Sequence, residues 1–168
     1  VRLEPFRFEQ MRPGCYDVDA RIADMDREGV AAEVIFHFSQ NGENFPWVGQ
    51  GLWTNFDFEK GAIAYEIYNL WLADFCSVEP ARHIGLAYLP TWDIDAAITE
   101  MHRARRSGLT AINFPPPSRP GHAELNHPDW EPFWAAAADL DMALVTHASG
   151  AAPFDYHSGP GGQSIMIY

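Results

Sequence analysis

The apolar positions change period several times along the chain. GVAAEVIFHF (29–38) is a short run rich in β-branched and aromatic residues, which predicts a buried strand. DFEKGAIAYEIYNLWLADFCSVEP (57–80) predicts a long helix, with Ile63, Ile67, Leu70 and Phe75 near helical spacing and Pro80 after its end. HIGLAYLP (83–90) predicts a second strand. DIDAAITEMHRARRSG (93–108) predicts an amphipathic helix: Asp93 caps its start, Arg103, Arg105 and Arg106 suit its negative end, and Gly108 terminates it. LTAINF (109–114) is a third strand, stopped by Pro115, Pro116 and Pro117. WEPFWAAAADL (130–140) is a helix with Asp129 as its expected cap and Pro132 tolerated in the first turn. MALVTH (142–147) is the fourth strand, and VDARIADMDRE (18–28), ended by Gly29, is a helix ahead of the first.

Strands alternating with helices imply right-handed crossovers and a parallel sheet. The strands lack polar alternation, as expected when helices cover one face and a core fills the other. The loops 39–56 and 115–128 follow strand C-termini and are rich in Gly, Pro, Asn and aromatics. That is the edge where α/β proteins place their chemistry. The 168 residues are read as a single partial domain whose two ends resemble cuts, opening on Val1 and closing on SIMIY.

Composition narrows the partners. The formal net charge of −12 argues against nucleic acid and against an anionic membrane, since both need a basic footprint. Cys15 and Cys76 are the only cysteines, which fits a reducing cytoplasm better than a disulfide framework. No apolar run approaches the roughly 20 residues that span a bilayer.

Nucleotide cradles, nucleophile elbows and HExxH are absent. Histidines and polar residues at strand C-termini remain: His147 ends the fourth strand, His37 falls near the end of the first, and Asn113 is near the end of the third. His147 is read as either a metal ligand or a structural strand-end histidine, since one histidine does not define a site. His37 and Asn113 are candidates to touch substrate. His83, at the other end of its strand, is read as structural, and His102 as solvated. His157, in DYHSGPGG, lies in a candidate lid loop. Phe45, Trp47, Trp53 and Phe56 form either an aromatic pocket wall or a plug under the loop.

Three segments in this order resemble the amidohydrolase-related family. They are ARIADMDREGVAAEVIF (20–36), ARHIGLAYLPTWDIDAAITEMHRARRSGLTAINFPP (81–116) and HPDWEPFWAAAADLDMALVTHASG (127–150). This is the branch of metal-dependent TIM-barrel enzymes that includes aminocarboxymuconate-semialdehyde decarboxylase and related aromatic-acid decarboxylases. The resemblance implies a partial (β/α)8 barrel, with the strands here as the second to the fifth. It implies a mononuclear divalent metal, usually zinc, held by an HxH pair, a histidine ending the fifth strand and an aspartate ending the eighth. A histidine on the sixth strand acts as acid/base. Under this mapping His147 is the fifth-strand ligand, and Arg21 matches an arginine that binds a substrate carboxylate. HxH is found nowhere in the sequence. A whole barrel takes about 250 residues.

The resulting expectation is a metal-dependent hydrolase or non-oxidative decarboxylase acting on a small carboxylated or cyclic substrate, as a cytoplasmic homodimer. The alternative is a non-catalytic α/β barrel remnant serving as an interaction domain. Arg21 has a second reading as a surface arginine paired with Asp17, Asp24 or Asp26.

Overall fold

The computed structural model describes residues 10–36, 58–114 and 125–146. Within these, a 3-10 turn at Pro13–Cys15 leads into α1 (Val18–Glu28), followed by β1 (Glu33–Ile35), α2 (Phe58–Ser77), β2 (His83–Tyr88) and α3 (Ile94–Arg106). Then come β3 (Ala111–Phe114), a 3-10 turn at Pro128–Trp130, α4 (Glu131–Asp139) and β4 (Ala143–Thr146). The four strands pair in sequence order, β1-β2-β3-β4, and every pairing is parallel. A parallel sheet whose order follows the chain, with a helix between neighbours, is one arc of a β/α barrel.

The helix boundaries follow the capping chemistry. Asp17 accepts from the Ala20 N–H and Asp93 from the Ala96 N–H, each satisfying an orphan donor of a first turn. Gly29 closes α1 in the left-handed conformation (φ 71°). Gly108 has φ 100°, and the Leu109 N–H returns to the Ala104 carbonyl. Asp129 does not cap α4. His127 caps the 3-10 turn before it, its Nδ1 accepting from the Asp129 N–H at 3.3 Å. Pro128 starts that turn one residue ahead of Asp129, which moves the cap position back.

The first strand is shorter than the 29–38 expected from the sequence. Gly29 belongs to the cap of α1, and the carbonyls of Val30 and Ala31 accept from the Arg82 guanidinium instead of a strand neighbour. His37 and Phe38 lie outside the described residues.

Gly85 fixes which side of β2 meets the helices. A Cβ there would lie 2.8 Å from Leu72 Cγ and 2.9 Å from both Cys76 Sγ and Leu109 Cδ2. His83, Gly85 and Ala87 therefore face the helix layer, and Ile84 and Leu86 face the other way. The core fills the gap between sheet and helices, with Leu72, Met101, Leu109, Ile112, Trp130 and Phe133 buried in it. Phe114 packs edge-on against Trp130 and beside Phe133 and Trp134, which anchors α4 to the end of β3.

The residues that set the period of the long helix are not its buried ones. α2 buries Ala64, Tyr65, Leu72, Phe75 and Cys76, while Ile63, Ile67 and Leu70 are exposed. Among the described residues no helix is long and apolar enough to cross a membrane.

Candidate functional site

Parallel pairing puts the C-terminal ends of all four strands on one edge. His147 would directly follow β4 and His37 would follow β1 by two positions, and both lie outside the described residues. Asn113, the penultimate residue of β3, is described. It sits in register between Tyr88 of β2 and Val145 of β4. Its neighbours Ile112 and Phe114 belong to the helix-side core, so alternation turns Asn113 to the opposite face, where it is half-buried. That is the face which, in a closed barrel, lines the interior below the catalytic loops.

Beside it the end of β2 is bonded by a side chain of α2. Among the described residues the pairing of β1 with β2 runs to Ile35, opposite Gly85. Asn69 of α2 bonds the Tyr88 backbone twice: its Oδ1 accepts from the Tyr88 N–H at 2.8 Å and its Nδ2 donates to the Tyr88 carbonyl at 2.8 Å. The same Nδ2 donates to the buried Glu100 Oε1 at 2.7 Å, and Glu100 in turn accepts from Arg103. Arg103 also pairs with Glu66, which closes a network from β2 through α2 to α3. Burial opposes the charge on Arg103, but its bonds to Glu66 and Glu100 outweigh that and raise its pKa. An aromatic series covers the same corner. The Tyr65 and Tyr88 rings meet edge-on at 4.7 Å, and Trp92 touches Tyr65 and Phe58 at 5.5 and 5.3 Å.

Arg21 belongs to the other edge. Its Nε donates to Glu33 Oε1 and Oε2 at 3.0 and 2.9 Å, and its Nη2 also bonds Oε2. Asp17, Asp24 and Asp26, the partners considered from sequence, are engaged elsewhere. Asp17 caps α1, Asp24 pairs with Arg12 and Arg27, and Asp26 pairs with Arg82. Glu33 opens β1, opposite His83, which opens β2. The His83 ring is buried, with Nδ1 3.1 Å from Glu33 Oε1 and its face against Phe75. Its Nε2 is buried without a hydrogen-bond partner. Burial alone would raise the Glu33 pKa, but the hydrogen bonds and charge of Arg21, with a smaller contribution from His83, hold it below the ordinary carboxylate range. Five residues of β2 separate this cluster from the level of Asn113, roughly 16 Å along the strand. The structure therefore does not bring Arg21 and Asn113 together, and the carboxylate that Arg21 holds is Glu33's.

The sequence reading missed Glu33, Asn69 and Glu100. Asn69 had a visible signal, being the one amide in the apolar run AIAYEIYNLWLADF (62–75). The Arg21–Glu33 pairing had none, because it forms only once β1 folds back beside α1. Among the described residues, no group of three or more His, Cys, Asp or Glu is placed to hold a metal ion. Cys15 and Cys76 are free thiols, and burial pushes Cys76 up to about 11 against an opposing hydrogen bond from the Gly85 N–H.

No family model matches the sequence. Solved structures do match the fold. 2,6-Dihydroxybenzoate decarboxylase from Rhizobium aligns over 89% of this chain with a TM-score of 0.57 and 24% identity. The 5-carboxyvanillate decarboxylase of Novosphingobium aromaticivorans, solved with bound manganese and 3-methoxy-4-hydroxy-5-nitrobenzoic acid, aligns over 87% with a TM-score of 0.59 and 28% identity. IDCase of Metarhizium anisopliae aligns over 88% with a TM-score of 0.59 and 15% identity. The chain spans 44%, 38% and 36% of these three, less than half of each. Its four-stranded parallel sheet and helices match one part of these larger structures, and over that part the chain has the partial TIM-barrel fold of the amidohydrolase-superfamily decarboxylases.

Proposed function

We propose that the protein to which these residues belong is a metal-dependent decarboxylase of the amidohydrolase superfamily, acting on a small carboxylated, cyclic substrate. The observation that carries this reading is the parallel β1-β2-β3-β4 arc, in a chain that aligns over 87% of its length with a decarboxylase solved with bound manganese and 3-methoxy-4-hydroxy-5-nitrobenzoic acid. The decarboxylase neighbours favour loss of carbon dioxide over hydrolysis. No observation favours the non-catalytic alternative. A cytoplasmic setting is part of the same proposal.

In this reading His147 donates a neutral imidazole nitrogen to a divalent ion, expected to be zinc. The remaining donors come from parts of the barrel that this chain does not span. Such an ion supplies Lewis-acid polarisation at the strand C-termini. Asn113 faces the same interior and can both donate to and accept from a carboxylate or hydroxyl on the substrate. His37 is proposed to contact the substrate as well. Arg21 is left to its place beside Glu33.

Metal analysis and turnover of the full-length protein with a hydroxybenzoate test the proposal. About one divalent ion per chain is expected. His147→Ala should lose that ion, together with more than about 100-fold of activity. An unchanged metal content would remove His147 from the ligand set.

A further inference from the structure

We propose that Asn69 is a positioning residue for the candidate site: by fixing the end of β2 it sets where Asn113 of β3 stands at the catalytic edge. This role rests on the decarboxylase reading above and on the substrate contact of Asn113 within it. Asn69 is 3% exposed and Glu100 5%, so an amide and a carboxylate are both taken out of water at this one corner. Such groups are costly to bury without partners, and Asn69 aims its bonds at the backbone of a strand end.

The contacts of β2 change character along the strand. At Gly85 the neighbours are the side chains of Leu72 and Leu109. Apolar contact of this kind is non-directional: it sets the distance between helix and sheet, but not the position of the strand along its own axis. At Tyr88, nearer the C-terminal edge, α2 instead supplies a directional pair of bonds, 2.8 Å to the N–H and 2.8 Å to the carbonyl. Two bonds from one planar amide fix the peptide groups on both sides of Tyr88 in place and in orientation. The amide is held in turn. Its Nδ2 donates to Glu100 at 2.7 Å, Arg103 donates to Glu100 at 2.7 Å, and Arg103 pairs with Glu66, one turn before Asn69 on α2. The series of bonds returns to the helix it left, so each member is oriented by the next.

From Tyr88 this placement passes to the site through the sheet. Tyr88 is the register partner of Asn113, and Asn113 is the partner of Val145 in the last described strand. Paired strands lie about 4.8 Å apart and are joined by ladder hydrogen bonds, so a shift at Tyr88 carries Asn113 with it. Reacting groups tolerate little of this: a displacement of about 1 Å costs on the order of 100-fold in rate. Asn69 itself is buried behind the strand and acts through Tyr88 and Asn113.

Turnover of a panel of hydroxybenzoates by the full-length protein tests this role. The variants are Asn69→Ala, Asn113→Ala and the two combined, each with a folded circular dichroism spectrum. Each single variant should lower kcat/KM about 10-fold or more. The combined variant should lie no more than about twofold below Asn113→Ala alone, because residues that act through one contact are not additive. A role confined to stability would not produce that coupling in a folded enzyme. Asn69→Asp keeps the acceptor for the Tyr88 N–H and loses both donated bonds. It carries the same comparison where Asn69→Ala does not fold, with a loss of roughly three- to tenfold that again disappears in the Asn113→Ala background. Losses that multiply, or an Asn69 variant with full activity, would overturn the positioning role and leave the decarboxylase reading standing. A fully active Asn113→Ala would overturn the substrate contact, and a wild type without turnover the decarboxylase reading, and either would take the positioning role with it.

Discussion

Glu33 shows how one residue decides what its neighbours can do. It is a carboxylate at the start of an apolar strand, with its side chain only 11% exposed. Such a group stays charged only if its surroundings favour the charge, and Arg21 and His83 both bond it. Its folded pKa lies below its unfolded one. The stability it contributes is therefore complete above the unfolded value, near 4.3, and is lost as pH falls through the folded value. Glu33→Gln should cost about 1–2 kcal/mol at pH 7, with part of the attraction discounted because Arg21 is partly exposed. The gap to wild type should close as pH drops toward 3. Denaturant unfolding of both proteins at pH 7 and pH 3.5 measures this, and a gap independent of pH would contradict the assignment. Because Arg21 is held there, Arg21→Ala should lower stability and leave KM unchanged.

At the scale of elements, α2 joins the sheet to α3 through Asn69. One amide satisfies both backbone groups of Tyr88 and donates to Glu100. Asn69→Leu keeps a similar size but leaves these buried groups unpaired. It should cost about 2–4 kcal/mol, read by thermal or denaturant unfolding, with exchange of the Tyr88 amide speeding up by more than that of Ala87. A cost below about 0.5 kcal/mol would show that the network is dispensable. The sequence carried most of the elements because capping and hydrophobic period are local. Asp93, Gly29 and Gly108 act where they stand in the chain. What it did not carry depends on the third dimension. The period of α2 was visible in Ile63, Ile67 and Leu70, yet an apolar period does not say which of two apolar faces meets the sheet. Gly85 settles that by admitting Leu72 and Cys76, and this shows only when strand and helix are packed. The site divides in the same way. Asn113 falls at a strand C-terminus by counting alone, whereas Arg21 found a carboxylate that a linear reading placed in a different element.

At the scale of the whole molecule, the sheet has two apolar surfaces that its own helices leave open. Val34 and Ile84 are register partners on the face away from the helices, and are 46% and 40% exposed. Leu144 pairs with the buried Ile112 on the helix side of β4, and is 43% exposed. A barrel covers each of these in a different way: side chains from facing strands fill its interior, and the helix after each strand packs on the outside. The two positions thus report separately on the two kinds of cover. In the full-length protein, Ile84→Ala and Leu144→Ala should each cost about 2–4 kcal/mol, the range for truncating a buried aliphatic side chain. An exposed residue would cost about 0.5 kcal/mol or less. A large effect at Ile84 alone would mean that the interior is filled while the outer layer stops at α4. A large effect at Leu144 alone would mean that the layer continues around an unfilled interior. Large effects at both are what a closed barrel requires, and only a closed barrel brings the remaining strand ends round to face Asn113.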